Sequence, residues 1–226
     1  MGNFTSTTLR VAVCLLVSLA VGMMAREYVR ASVVSRLHDP TPRLWGRLSL
    51  NPRTWFDPLG SGLLPGLILL LWAAGASFLP PPIAYAKPAP VDPSYFRRFT
   101  RDSVLAGLAG PLANIVLALI AGLVVRTGVS GEVLRFVVAF EFTNLCLAFF
   151  HLLPIPGLDG ARLLGLALPP RAREVYRNAD QYLALIVLVV LFLFAGPLLD
   201  IIYSLTNAFC DLFGGDRCSV LLFLPS

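Results

Sequence analysis

Two arginines and a glutamate at residues 26–30 have the spacing of side chains that form a metal or ion-pair site on one helix. The segment reads Arg26-Glu27-Tyr28-Val29-Arg30 and directly follows a long apolar run. Side chains at positions i and i+4 share one face of an α-helix, so the two guanidinium groups would project together with Glu27 beside them. The spacing is that of a His-Glu-x-x-His zinc helix, with arginine in both histidine positions. Charges at the end of an apolar helix also mark the membrane interface, which is the simpler interpretation.

A second polar group surrounds Asp159, just beyond a break in an apolar helix. Asn144 and His151 belong to that helix, and two prolines and a glycine at 154–157 end it. An aspartate presented at membrane depth by a broken helix is energetically expensive, which favours a functional site. Asp159 is also suited to cap the short helix that we predict at 160–168.

The composition predicts a multi-pass protein of the cell membrane. Apolar residues make up 57% of the 226 residues and charged residues only 14%, and the mean hydropathy is +0.76. Several apolar runs reach the roughly 20 residues that a helix needs to cross a bilayer, and lipid leaves no partner for open strands. The net charge of +5 comes from Lys and Arg in short segments between apolar runs. This pattern favours membrane lipids as partners and argues against nucleic acid.

The apolar runs and breakers predict an all-α polytopic protein with about five to six transmembrane or re-entrant helices. Helices are expected at about 8–37, 101–126, 132–152 and 180–208, the last kinked at Gly196-Pro197, with a further apolar segment at 63–79. Alternating polarity and prolines predict one or two short strands in 41–58, between the first two helices. Prolines predict an extended segment at 83–93.

We expect one membrane domain over residues 1–209 and a tail at 210–226. Cys210 and Cys218 flank a Gly-Gly turn and would form a disulfide if the tail faces an oxidising compartment. Basic residues cluster in 26–57, 85–101 and 162–177. All three clusters lie on the cytoplasmic side only if 63–79 re-enters rather than crosses.

Taken together, these segments resemble the site-2 protease family of intramembrane zinc metalloproteases, particularly the compact bacterial forms that lack a PDZ domain. The resemblance covers about residues 11–209, and its patches occur in the family's order. They are 39–52 and 56–60 after the first helix, Ala-Lys-Pro-Ala-Pro-Val at 86–91, Ala-Gly-Pro-Leu-Ala-Asn at 109–114 and Leu-Asp-Gly at 158–160.

The resemblance implies a role for each matching position. In that family two histidines and an aspartate bind zinc, and a glutamate activates a metal-bound water that attacks a peptide bond. By position, Glu27 matches the general base and Asp159 the third zinc ligand, whereas Arg26 and Arg30 replace both histidines. The residues implied in support of the site or in the substrate groove are Asn114, Asn144, His151 (where the family usually has Asn), Lys87 and Pro88.

Arginine at both histidine positions removes two of the three zinc ligands. A ligand must offer a lone pair, and a guanidinium has none, so we expect no cofactor. Two guanidinium groups facing two carboxylates would restore a net charge of zero, which predicts ion pairs of Arg26 and Arg30 with Glu27 and Asp159. Alternatively, the arginines snorkel to the interface, or His151 joins both carboxylates in an improvised metal site.

Three functions follow from these alternatives. The first is a catalytically silent homologue that binds transmembrane helices of membrane partners, with residues 44–50 and 84–91 pairing with a partner strand. The second is an active metalloprotease that uses zinc with rearranged ligands and cleaves single-span membrane proteins. The third is a transporter-like protein, which the sequence supports least because it shows no inverted repeat.

Overall fold

The structure, a computed structural model, describes residues 4–74, 81–182, 185–187, 189–190 and 195–215. Within these ranges the chain is predominantly helical and contains no strand. The helices are α1 (Phe4–Arg36), α2 (Thr41–Leu44), α3 (Pro52–Trp55), α4 (Leu64–Ala73), α5 (Phe99–Arg126), α6 (Gly131–His151), α7 (Asp159–Ala167), α8 (Pro170–Asn178) and α9 (Ala195–Gly214). A π-helix (Pro58–Leu63) precedes α4, and 3₁₀ turns occupy Pro93–Tyr95 and Ala179–Tyr182.

Three of the described helices are long and apolar enough to cross a membrane. They are Arg10–Arg36 of α1, Phe99–Arg126 and Gly131–His151. These helices pack against one another, α9 packs on α5 and α6, and α7 packs on α5. The predicted all-α, membrane-like architecture is therefore confirmed.

Close packing of α5 depends on small residues. Its buried face contains four alanines and three glycines, so neighbouring backbones approach closely, as is common between membrane helices. Pro111 lies inside α5 without ending it. This face brings the α5 backbone next to the charged side chains of α1.

The strands predicted in 41–58 are wrong, because this segment forms α2, α3 and the start of the π-helix. Prolines occupy the first turns of all three elements, where a missing N–H has no cost. Asn51 caps α3 by accepting from the N–H of Arg53, and Asp57 caps the π-helix. The alternating polarity reflects exposed apolar side chains such as Trp45, not a strand with one buried face.

The remaining predicted elements agree in part. Residues 81–92 form neither helix nor strand, as the prolines predict. The short helix begins at Asp159 rather than Gly160, so Asp159 is its first residue and not its cap; Leu158 is the N-cap. α8 was not predicted, and α9 continues to Gly214. Gly196-Pro197 lie at the start of the described part of α9, next to residues 191–194, which lie outside the described residues, so the predicted kink stays untested. Residues 75–80 lie outside the described residues, so a full crossing by 63–79 stays untested.

Only one cysteine of the predicted Cys210–Cys218 disulfide lies among the described residues. Cys210 is disulfide-bonded, whereas Cys218 lies outside the described residues. Cys14 and Cys146 are free thiols, as their positions in apolar runs predict.

Candidate functional site: a buried arginine–carboxylate cluster

The candidate site is a cluster of four charged side chains, called here the charged cluster, formed by Arg26, Glu27, Arg30 and Asp159. The first three lie on the membrane-spanning part of α1, and Asp159 is the first residue of α7. α7 packs on α5, which packs on α1, so α5 brings the two parts together. Each of the four residues is only 1–2% exposed.

The two guanidinium groups contact both carboxylates. Arg26 donates from Nη1 to Glu27 Oε1 at 2.5 Å and from Nη2 to Asp159 Oδ2. Arg30 Nη1 lies 3.4 Å from Asp159 Oδ1 and 3.8 Å from Glu27 Oε2. The predicted ion pairs are thus present, and the alternative in which the arginines snorkel to the interface is wrong.

A glycine of α5 closes one side of the charged cluster. A Cβ at Gly110 would lie 3.1 Å from Arg26 Nη2 and 3.2 Å from Asp159 Oδ2. These distances are tighter than most Cβ contacts, so a larger residue would push the ion pair apart. The Gly-Pro-x-x-Asn segment therefore matters here because of the space that Gly110 leaves.

The pKa of Asp159 is raised above its ordinary value, with opposing contributions from burial and from its neighbours. Burial raises the pKa of the Asp159 carboxyl, and the guanidinium groups of Arg26 and Arg30 oppose that rise. A buried ion pair of this kind persists only when both partners stay hydrogen-bonded.

Buried side chains hydrogen-bond to the backbone of segment 83–92, which passes next to the charged cluster. Glu27 Oε2 accepts a hydrogen bond from the Ala89 N–H at 3.3 Å. His151 Nε2 lies 3.0 Å from the Ala84 carbonyl, and since a carbonyl only accepts, the ring nitrogen is the donor. At the far end, Asp39 Oδ2 accepts from the Asp92 N–H at 2.8 Å.

The same segment is also hydrogen-bonded on its other side. The Tyr85 N–H donates to the Gly60 carbonyl at 3.2 Å, and the Lys87 N–H donates to the Trp55 carbonyl at 2.9 Å. Ser61 Oγ donates to the Tyr85 carbonyl at 2.9 Å. A partner strand pairing with 84–91 at this edge would first have to displace these bonds.

The other predicted support residues do not hydrogen-bond to the charged cluster. Asn144 donates to the Phe140 carbonyl at 2.8 Å, and its Oδ1 packs against Gly22 of α1. Both amide atoms of Asn114 are buried and find no hydrogen-bond partner within the described ranges. Lys87 and Pro88 are exposed.

His151 does not complete a metal site. Its Nε2 is engaged by the Ala84 carbonyl. No group of three His, Cys, Asp or Glu side chains that could hold a metal occurs among the described residues. The improvised site of His151, Asp159 and Glu27 is therefore not formed.

Sequence reasoning missed two buried acidic residues. Asp39 is fully buried and holds two backbone N–H groups, those of Thr41 and Asp92. Glu141 is fully buried in α6, where the Gly214 backbone and the Arg126 side chain are its polar neighbours. An acidic residue inside an apolar run is the signal that would have found Glu141.

Comparison with known proteins shows the family. The chain is 31% identical over 188 residues to Putative zinc metalloprotease YwhC of Bacillus subtilis, covering 79% of each protein. The chain belongs to the site-2 protease family. This site-2 protease homologue is also 33% identical over 178 residues to Putative zinc metalloprotease Rip2 of Mycobacterium tuberculosis, covering 76% of this chain and 64% of Rip2.

A third relative matches a shorter stretch of the chain. Putative zinc metalloprotease MJ0611 of Methanocaldococcus jannaschii is 33% identical over 129 residues, which is 57% of this chain and 61% of that protein. No family model matches the homologue, and no solved structure matches it.

The zinc that these names imply does not fit the side chains of this homologue. Guanidinium groups occupy the positions that would supply two nitrogen ligands, and they carry no lone pair. Both carboxylates that remain are already ion-paired to those guanidinium groups. A divalent cation added here would be repelled by two positive charges and would have to break all four contacts.

Proposed function

We propose that this protein is a catalytically silent site-2 protease homologue of the cell membrane, which binds transmembrane helices of membrane partners without cutting them. The observation that carries the proposal is the charged cluster. The two side chains at the family's catalytic and ligand positions, Glu27 and Asp159, are both paired with arginine.

The contacts of Glu27 argue against its use as a general base. Such a base must reach a water or substrate with a free lone pair and have a suitably raised pKa. Glu27 Oε1 accepts from Arg26, and Oε2 accepts from the Ala89 N–H and lies near Arg30. Both carboxylate oxygens of Glu27 are therefore already engaged by donors of the protein itself.

Binding without cleavage requires an exposed apolar face within the membrane. Large apolar side chains on α5 that recur every three or four residues are more than half exposed: Leu112, Val116, Ile120 and Leu123. Spacing of this kind forms one stripe along a helix, which suits packing against another transmembrane helix.

The test combines metal analysis with a search for cleavage products. We expect the purified protein to contain far less than stoichiometric zinc. We also expect fragments cut within single-span membrane proteins to be equally abundant in native cells that carry the wild-type protein, the Glu27→Gln variant or no protein.

Glu132→Gln serves as the matched control, because Glu132 forms exposed ion pairs with Arg10 and Arg135. Partner capture by cross-linking should be the same for the wild-type protein and Glu132→Gln. Stoichiometric zinc, or fragments that vanish with Glu27→Gln but persist with Glu132→Gln, would show an active protease.

A further inference from the structure

An apolar groove lies along the membrane-spanning part of α1, next to the charged cluster but separate from it. Its volume is about 250 Å³. Leu16, Leu19 and Met23 form one wall, and Trp55, Phe56 and Pro65 lie opposite. Because the α1 wall belongs to the span Arg10–Arg36, the groove lies at the depth of the hydrocarbon chains.

Two exposed cations adjoin this groove. The lining residue Pro52 is followed directly by Arg53, and the lining residue Ala86 is followed by Lys87. The Lys87 N–H bonds to the Trp55 carbonyl, which joins both segments beside the groove. Neither Arg53 nor Lys87 forms an ion pair with another described residue.

The exposed charged residues of the segments around the groove are mostly basic. Arg43, Arg97 and Arg101 are exposed, and Asp39 and Asp102 are buried. Of the other acidic residues, Asp92 is exposed, and Asp57, which follows the lining residue Phe56, is half-buried with its carboxylate capping the π-helix. An apolar slot with unpaired cations beside it complements an anionic phospholipid, whose acyl chain is apolar and whose phosphate is negative. A partner helix suits it less well, because transmembrane helices are often flanked by Lys and Arg of their own, which would repel Arg53 and Lys87.

We propose that the groove binds one acyl chain of an anionic phospholipid, with the lipid phosphate held by Arg53 and Lys87. The bound lipid fills the space between α1 and the α3–α4 region. It also screens the two cations. This site depends on the groove and its flanking cations, not on whether the charged cluster is catalytic.

The test measures lipid selectivity with Trp55 as the reporter. The Trp45→Phe/Trp72→Phe variant leaves Trp55 as the sole tryptophan. This protein is reconstituted into phosphatidylcholine vesicles that contain increasing fractions of dibrominated phosphatidylglycerol or dibrominated phosphatidylcholine. We expect the brominated anionic lipid to reach half-maximal quenching at a mole fraction at least threefold lower.

Two further pairs of variants separate the headgroup from the chain. Arg53→Ala/Lys87→Ala should make the two quenching curves coincide, whereas Arg43→Ala, an exposed cation on α2, should keep the preference. Ala20→Phe, which fills the groove, should reduce quenching by both lipids. Val17→Phe lies on the exposed face of α1 and should leave the quenching unchanged.

Three results would overturn the proposal. The curves for the two lipids coincide before any cation is removed, which indicates non-selective contact with bulk lipid. The preference survives Arg53→Ala/Lys87→Ala. Neither lipid quenches Trp55, which indicates that protein occupies the groove.

Discussion

Replacing Arg26 with methionine removes the cation with the closest contacts in the charged cluster. Arg26 donates to Glu27 at 2.5 Å and also to Asp159, whereas Arg30 lies at 3.4 and 3.8 Å from the two carboxylates. Methionine keeps a flexible chain of similar length, so loss of charge is the main change. The variant leaves one buried cation to neutralise two buried carboxylates.

The expected loss of stability is large for a single substitution. Breaking a buried ion pair by removing one partner costs about 3–5 kcal/mol. Arg30 still faces both carboxylates, which favours the lower end, about 3 kcal/mol, or a more than hundredfold shift in the unfolding equilibrium. Arg30→Met should cost less, about 1–2 kcal/mol, since its contacts are longer than hydrogen bonds. In the double variant Arg26→Met/Asp159→Asn the net charge of the charged cluster returns to zero. Its loss of stability should therefore be smaller than the sum of the two single losses by about 1–3 kcal/mol.

Equilibrium unfolding in detergent micelles, followed by helical circular dichroism, measures these differences. Arg135→Met is the matched control, because Arg135 pairs with Glu132 at 2.9 Å but both side chains are more than half exposed. That substitution should change stability by less than about 1 kcal/mol. An Arg26→Met effect no larger than the control, or strictly additive effects in the double variant, would refute the buried ion pair.

Two further substitutions test the surroundings of the charged cluster. Gly110→Ala should destabilise the protein by about 1–3 kcal/mol in the same unfolding assay, because the added methyl crowds Arg26 and Asp159; Gly66→Ala, which meets no atom within 4 Å, should not. The Arg26→His/Arg30→His variant should bind zinc with a stoichiometry near one by elemental analysis, because two imidazoles and Asp159 make a three-ligand set. Adding Asp159→Ala to this variant should abolish zinc binding. Equal zinc binding with and without Asp159 would contradict the assignment of Asp159 as the third ligand position.

The charged cluster could be predicted because its residues obey local rules. Helical spacing places Arg26 and Arg30 on one face, and the Leu-Asp-Gly segment supplies the opposite charge at Asp159. Buried charges must be balanced, so two arginines and two carboxylates in one buried region predict ion pairs between them. The partner of His151 could not be predicted in this way, because it depends on the path of residues 83–92 through the fold.

The strands expected in 41–58 show where pattern reasoning fails. Alternating polarity predicts a strand only when one face is buried, and here Leu44 and Trp45 are both largely exposed. Prolines 42, 52 and 58 favour the end of a helix by their type, yet each lies in the first turn of a short helix. Local capping by Asn51 and Asp57 decided the outcome.

The order in which the charged cluster assembles bears on how α1 enters the bilayer. Arg26 and Glu27 are adjacent, so one of the two arginine charges on α1 is neutralised within the helix itself. Glu27 can balance only one of the two arginines, and the second negative charge comes from Asp159, which lies 133 positions after Arg26. At these positions α1 alone therefore carries one more cation than anion, and an unbalanced charge at membrane depth is expensive. Net neutrality of the charged cluster thus requires a residue of α7, which is synthesised long after α1.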